Sequence, residues 1–276
     1  MKVRQAYNYL KERLREVSRE PEAEARWVLE ELTGSKFEVL FVNPSMEFAI
    51  EAQIEDILEQ RVKLRKPLQY IFKKAFFMGL EFYVDERVLI PRQDTEVIVE
   101  YALNLLKKHE SPRWVDVCTG SGAIAVALEK YYGGISFASD LYPEAIEVAK
   151  LNAVKHNSKI NFIACDLLQG FCSSSMDLII SNPPYIGAWE YEALSPEVRT
   201  EPPHALLGGE VGYEITIKLL EDAYRVLKPT GDLIIETSLR CYEEIKKEKL
   251  FNFFLVKRKI YDLTGNFRGL HLVKAV

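Results

Sequence analysis

The chain has 276 residues, 48% of them hydrophobic and 28% charged, a composition that excludes a wholly disordered or collagen-like protein and fits one large or two modest globular domains. With 41 acids against 36 bases the net charge is −5, so the overall field does not favour a grip on nucleic acid. The longest apolar run, Gly122–Leu128, is far short of a membrane span, and no membrane association is expected.

Taken in chain order, the first third reads as helices. Val3, Ala6, Tyr7, Leu10, Leu14 and Val17 recur at helical spacing and make one apolar face. A second helix is expected from Pro21, which suits a first turn, to Gly34. Ser35 is expected to cap a short third helix, and Ser45 to open a fourth that Pro67 ends. Short amphipathic helices in series bury their faces on one another, which predicts a small bundle over residues 1–75. Arg61, Lys63, Arg65, Lys66, Lys73 and Lys74 then follow with no acid before Glu81. This run reads either as a solvated helix end or as a contact surface for an acidic or RNA-bound partner. Within residues 76–92, Leu80–Val84 and Arg87–Ile90, split by Asp85-Glu86, predict a β-hairpin. Pro91 to Glu96 leads into a further helix.

From Trp114 the period changes. Strands are expected at Trp114–Val117, Ile135–Ser139, Ile160–Ala164, Leu178–Ser181 and Leu233–Thr237, with helices at Ala123–Tyr131, Pro143–Lys155 and Tyr213–Leu227. Repeated β-α units predict a mostly parallel α/β sheet with helices on both faces. Phe253–Ile260 and Leu270–Lys274, joined through Gly265-Asn266, predict a final antiparallel pair.

The loop after the first strand of this region is Asp116-Val117-Cys118-Thr119-Gly120-Ser121-Gly122. A glycine turn between strand and helix lets a nucleotide-like ligand lie against the backbone. Asp140 stands eighteen residues after Gly122, where a carboxylate meets both hydroxyls of a ribose. That geometry serves NAD and S-adenosylmethionine alike. Asp116 tilts the reading: an acid before the glycines suits the amino-acid end of S-adenosylmethionine and would repel a pyrophosphate. Asp166, with Leu167 beside it, is placed to meet an adenine amine and ring. The plainer alternatives are a strand-end turn for Asp116, a helix cap for Asp140 and a loop cap for Asp166.

The strand Asp177–Ser181 runs into Asn182-Pro183-Pro184-Tyr185. Two prolines stiffen the turn. The Asn182 side-chain oxygen and the Pro183 carbonyl can accept two hydrogen bonds from one planar NH2 group, on which Tyr185 stacks. An amide or aryl-amine nitrogen is a poor nucleophile, and such acceptors orient its lone pair and stabilise the charge that develops on methyl transfer. No metal is required. The four histidines, His109, His156, His204 and His271, have no readable catalytic partner, which leaves a hydride-transfer enzyme without an acid.

Together these motifs resemble class I S-adenosylmethionine-dependent amino-methyltransferases. Pro67-Leu68-Gln69-Tyr70-Ile71, Phe77-Met78-Gly79-Leu80, Leu89 to Glu96, Val198 to Pro202, Ala205 to Gly209 and Asp262 to Gly265 narrow the resemblance to the peptide chain release factor glutamine N5-methyltransferases, the HemK/PrmC family. The resemblance implies a Rossmann-like seven-stranded sheet with an antiparallel C-terminal strand, a methyltransferase domain over residues 93–276, a helical domain that docks the release factor, and a linking hairpin. It implies transfer from S-adenosylmethionine, leaving S-adenosylhomocysteine, to the glutamine of a Gly-Gly-Gln loop in class 1 release factors. It carries Asp116, Cys118, Thr119, Gly120, Ser121, Gly122, Asp140, Asp166, Leu167 and Asn182 as cofactor positions, and Asn182, Pro183, Pro184 and Tyr185 as the glutamine site, with Asn182, Pro183 and Tyr185 catalytic. Leu167 stands where members often carry an aromatic residue. The rivals are a glutamine methyltransferase of a ribosomal protein, an amino-methyltransferase acting on a nucleic-acid base, and a non-catalytic sensor. Stable nucleic-acid binding is not expected, and a monomer is the default.

Four cysteines without a CxxC pair, and no signal-peptide core at the N-terminus, point to a reducing compartment, the cytoplasm.

Overall fold

The structure is a computed structural model describing residues 1–275. The chain divides into two compact units, one of Met1–Lys74 with Pro196–Thr200, the other of Ala75–Ser195 with Glu201 onward.

The first unit packs α1 (Val3–Leu14), α2 (Pro21–Thr33), α3 (Phe37–Val42), α4 (Glu51–Leu58) and α5 (Leu68–Ile71). Leu10, Leu14, Val28, Leu29, Ile54 and Leu58 share its core. Two expected caps are not used. Lys36, not Ser35, holds the N-cap position of α3, and the Phe37 N–H donates to Glu30 Oε1 at 2.8 Å. Ser45 does not open a helix either. The backbone there is taken up by the N-terminus, with Val3 N–H donating to Met46 O at 3.0 Å and Phe48 N–H to Met1 O at 3.1 Å, so α4 begins only at Glu51.

Arg61 is 4% exposed, on a π-helical turn after α4, and meets Glu24 through Nε and Nη2 at 2.9 Å each and Glu197 through Nη1 at 3.2 Å. Arg65 reaches Glu197 at 2.8 Å, Lys63 reaches Glu59 at 3.1 Å and Lys74 reaches Glu31 at 2.7 Å. Much of the basic run is therefore matched by acids of its own unit. A buried guanidinium needs such partners to offset its desolvation.

The second unit opens with a hairpin of β1 (Ala75–Phe77) and β2 (Leu80–Phe82). The expected hairpin at Leu80–Val84 and Arg87–Ile90 is corrected. The turn is Met78-Gly79, with φ of 50° and 72°, the left-handed pair that matches strand twist. Asp85 makes a local turn instead, accepting from the Arg87 N–H at 3.1 Å and from the Arg87 guanidinium.

There follow α6 (Glu96–Leu106), β3 (Arg113–Val117), α7 (Ala123–Tyr131), β4 (Ile135–Asp140), α8 (Pro143–His156), β5 (Asn161–Ala164), β6 (Met176–Ser181), β7 (Ile186–Gly187), α9 (Ala188–Tyr191), β8 (Leu207–Gly209), α10 (Glu214–Val226), β9 (Leu227–Glu236), α11 (Leu239–Ile245), β10 (Phe254–Tyr261) and β11 (Phe267–Lys274). The main sheet has seven strands in the order β10-β11-β9-β6-β3-β4-β5. β11 runs antiparallel to both neighbours, and the pairs from β9 to β5 are parallel.

Strand alternation divides the core. Val115, Val117, Ile179, Leu233 and Ile235 pack with α10 and α11. Trp114, Leu178, Ile180 and Ile234 pack on the other face with α6 and α7. Being covered on both faces, the central stretches of β6 and β9, Leu178–Ile180 and Leu233–Ile235, are continuous apolar runs, each followed by a polar residue, Ser181 or Glu236.

Candidate active site

Five strand ends define the site. β3 gives way to Cys118–Gly122, β4 ends at Asp140, β5 leads to Asp166, β6 leads to Asn182 and β9 ends at Glu236. In open α/β sheets ligands gather at this edge.

The glycine loop is fastened from below and open above. Thr119 N–H donates to Ser139 O at 3.0 Å and Gly122 N–H to Thr119 O at 2.8 Å. The Asp140 carboxylate accepts from Gly120 N–H at 2.9 Å and from Tyr142 N–H at 3.1 Å, tying loop and strand end together. Gly120 has φ 52°, and a Cβ there would meet no atom within 4 Å. That space adjoins a cavity of about 240 Å³ bounded by Gly120, Asp140, Asp166, Leu167, Asn182 and Pro184. Cys118 also faces it. Tyr142 and His204, whose rings stack at 3.7 Å, line it too. A smaller cavity of about 50 Å³ reaches Phe77, Leu89, Arg92, Thr95, Thr119 and Ser121. Cys118, Gly120 and Asn182 border both cavities.

The remaining expected residues line neither cavity. Gly122 lies beneath the loop against Ala149, and Pro183 is buried within its turn. Tyr185 is held by its backbone, its carbonyl accepting from Cys241 Sγ at 3.3 Å, and burial pushes its hydroxyl pKa up.

Asp116 is fully buried: its Oδ2 accepts from Thr119 Oγ1 at 2.6 Å and from Ala125 N–H at 3.2 Å, while Oδ1 has no partner among the described residues. Burial pushes this carboxyl up to about 7. The folded protein therefore holds this proton more tightly than the unfolded chain. Its stabilising effect is complete below the usual carboxylate range and is lost as pH rises through about 7. Asp116→Asn should flatten the fall of Tm over that window. Calorimetry at several pH values checks this, and an unchanged slope would assign the loss to other buried carboxyls such as Glu201.

Sequence reasoning missed several contributors. Glu201, 2% exposed, accepts from Ile90 N–H at 3.0 Å and pairs with Arg92. It fastens the segment carrying Leu89 and Arg92 over the smaller cavity. Gly208 was a second omission: a Cβ there would lie 2.5 Å from Pro184 O, so only glycine lets this backbone pass the Asn182–Tyr185 turn. Thr95 and Glu236 are a third. The Asn182 Nδ2 donates to Thr95 Oγ1 at 3.4 Å. The Thr95 and Tyr185 hydroxyls both lie against the Glu236 carboxyl. The readable signal was an acid closing the apolar run Leu233–Ile235.

The arrangement fits a nucleoside-bearing cofactor. It offers a backbone cradle with open space at Gly120, a carboxylate at Asp140 and an apolar wall at Leu167. Among the described residues no cluster of His, Cys, Asp and Glu is placed to hold a metal, and no helix is long and apolar enough to cross a membrane.

The chain matches the methyltransferase small domain over residues 96–194 and the PrmC N-terminal domain over residues 5–72. It is 36% identical to the release factor glutamine methyltransferase of Dictyoglomus turgidum, an alignment covering 83% of this chain and 84% of that one. The enzyme of the same name from Borreliella burgdorferi is 32% identical over 90% of this chain and 88% of its own. In structure it is similar to a methyltransferase from Pyrococcus furiosus, with a TM-score of 0.53 and 21% identity, covering 82% of this chain and 99% of that one. It is also similar to a ribosomal protein L11 methylase from Lactobacillus delbrueckii subsp. bulgaricus, with a TM-score of 0.51 and 21% identity, covering 70% and 84%. These two likenesses speak to the sheet alone, the class I methyltransferase fold. The relatives at 36% and 32% identity instead span most of both chains, and with the helical domain matched as well, the chain belongs to the release factor glutamine methyltransferase family.

Proposed function

We propose that the protein transfers a methyl group from S-adenosylmethionine to the side-chain amide nitrogen, N5, of the glutamine in the Gly-Gly-Gln loop of class 1 peptide chain release factors, and so modulates translation termination. One observation carries the reading. Asn182, on a turn stiffened by two prolines at the end of β6, stands where the two cavities meet, with its NH2 directed to Thr95. That leaves its side-chain oxygen as an acceptor for the substrate.

Gly120 would carry S-adenosylmethionine against its backbone, Asp140 would hold the ribose, and Asp166 and Leu167 would meet the adenine. Cys118, Thr119, Ser121 and Gly122 shape the loop beneath it, and Asp116 braces that loop. When bound, S-adenosylmethionine supplies an electrophilic methyl group. Asn182 Oδ1 and the Pro183 carbonyl accept from the two N–H bonds of the glutamine amide and favour the form in which its lone pair is available. Tyr185, outside both cavities, backs the turn with its hydroxyl against Glu236. Phe77 and Leu89 line the smaller cavity with apolar surface; as the N–CH3 bond forms the S–CH3 bond breaks, leaving S-adenosylhomocysteine, and the surplus amide proton passes to solvent after transfer.

The helical unit docks the release factor. The enzyme acts as a cytoplasmic monomer and forms no stable complex with nucleic acid, a reading supported by the pairing of its basic run with Glu24, Glu31, Glu59 and Glu197. The test is methyl transfer from labelled S-adenosylmethionine to a purified release factor, with the Gly-Gly-Gln glutamine changed to asparagine as control. Label on the unaltered factor alone is expected. Label on neither, with ribosomal protein or RNA labelled instead, would overturn it.

A further inference from the structure

We propose that Thr95 and Glu236 are positioning residues that set which face of the Asn182 amide the substrate meets. The proposal deepens the reading above and rests on it.

Thr95 closes a short 3-10 turn, Gln93–Thr95, that runs directly into α6, and its helical dihedrals (φ −70°, ψ −20°) leave its hydroxyl no cap to make. The hydroxyl, on a residue 4% exposed, turns instead to the site, accepting from Asn182 Nδ2 at 3.4 Å and lying against Glu236. Glu236 is equally buried and ends β9, whose Ile235 pairs with Ser181 of β6. Parallel register therefore sets Glu236 beside Asn182. Its Oε2 has no hydrogen-bond partner among the described residues. A buried carboxylate with an unsatisfied oxygen on a central strand is costly for packing alone.

The chemistry of donors and acceptors gives the residue a task. A carboxylate only accepts. With Glu236 ionised, the Thr95 hydroxyl must donate to it, leaving Thr95 only a lone pair for Asn182. Asn182 must then present its NH2 to Thr95 and its oxygen to the cavity. With Glu236 protonated, the order can reverse: Thr95 is free to donate to the Asn182 oxygen, and the amide turns its NH2 toward the substrate NH2. Two donors then face one another and the glutamine is not held.

Burial pushes Glu236 up to about 7. The groups facing it are the Thr95 and Tyr185 hydroxyls and Arg268 on β11, which favour the charged form, and Asp94, which opposes it. Arg268 is itself shared between Asp94 and Asp262 at 2.8 Å each. Turnover should therefore rise with pH through the neutral range.

The experiment measures kcat, KM for the release factor and Kd for S-adenosylmethionine against pH in the wild type, Thr95→Ser, Thr95→Val and Glu236→Gln, with thermal unfolding of each. Wild-type turnover tests the parent reading independently: no methylation of the release factor ends that reading, whereas active wild type with unaffected variants ends only this one. Thr95→Val should lower kcat about tenfold, the loss of one orienting hydrogen bond, with cofactor Kd unchanged. Thr95→Ser should restore most of it, because the hydroxyl is all that is required. Glu236→Gln should remove the acid limb of kcat, whereas a limb belonging to Asp116 would persist. Equal activity of the Val and Ser variants would overturn the proposal, as would an acid limb that survives Glu236→Gln. Should Glu236→Gln fail to fold, the Ser and Val pair still decides.

Discussion

Asn182→Ala should reduce methyl transfer by about three orders of magnitude, the scale seen when one preorganised polar group at a reacting centre is removed. The loss should fall on kcat. In the proposed mechanism Asn182 Oδ1 accepts from the glutamine amide as positive charge develops on its nitrogen, an interaction stronger in the transition state than in the ground state. Alanine leaves the Pro183 carbonyl, which meets one N–H and cannot fix the plane. Asn182 also borders the larger cavity, and its loss there should weaken cofactor binding only about fivefold, the worth of one hydrogen bond. Its side chain is held by a single 3.4 Å hydrogen bond to Thr95, so the fold should survive. Rapid-quench turnover at saturating cofactor, with equilibrium binding of S-adenosylhomocysteine, separates the two effects. Near-normal turnover would defeat the assignment of the turn as the amide site.

The Asn182–Tyr185 turn was legible in the chain because its signal is local: an apolar strand runs straight into four consecutive residues, two of them prolines that stiffen the turn. The glycine loop was legible for a similar reason. Strand, glycines and helix follow one another, and Asp140 lies one β-α unit on. The parallel sheet came from periodicity, since strands buried on both faces read as short apolar runs such as Leu178–Ile180. What escaped depends on partners distant in the chain. Ser45 looked like a cap, but the backbone that follows it is claimed by Met1 and Val3. Asp85-Glu86 looked like a hairpin turn, yet Met78-Gly79 supplies the left-handed pair a tight turn needs, and methionine gives no sign of it. Thr95, bonded to Asn182, and Glu236, next to it in register, are far from it in sequence and come near only because α6 begins at the sheet edge where β6 and β9 end. The same holds for Glu201, which fastens the Ile90–Arg92 backbone from the far side of the larger unit's chain.

Asp140→Ala should weaken the cofactor about a hundredfold, the loss of two charge-assisted hydrogen bonds to a ribose, while kcat at saturating cofactor changes little. The ribose is unaltered by methyl transfer, so its contacts are the same in ground state and transition state. Such uniform binding shows in Kd, not in kcat. Product binding should fall by the same factor, because S-adenosylhomocysteine carries the same ribose, and this makes the prediction measurable without turnover. Asp140 has a second duty that must be separated from the first: it receives the N–H groups of Gly120 and Tyr142 and so closes the loop on the strand end. Those bonds favour its charged form against burial, which pushes its pKa up. Asp140→Asn keeps an acceptor for the loop and removes the charge. If the ribose depends on the charge, asparagine should bind cofactor nearly as poorly as alanine while melting close to the wild type. If the carboxylate serves only the loop, asparagine should recover both binding and melting temperature. Calorimetric titration with S-adenosylhomocysteine distinguishes the cases, and an unchanged Kd in the alanine variant would take Asp140 out of the cofactor site.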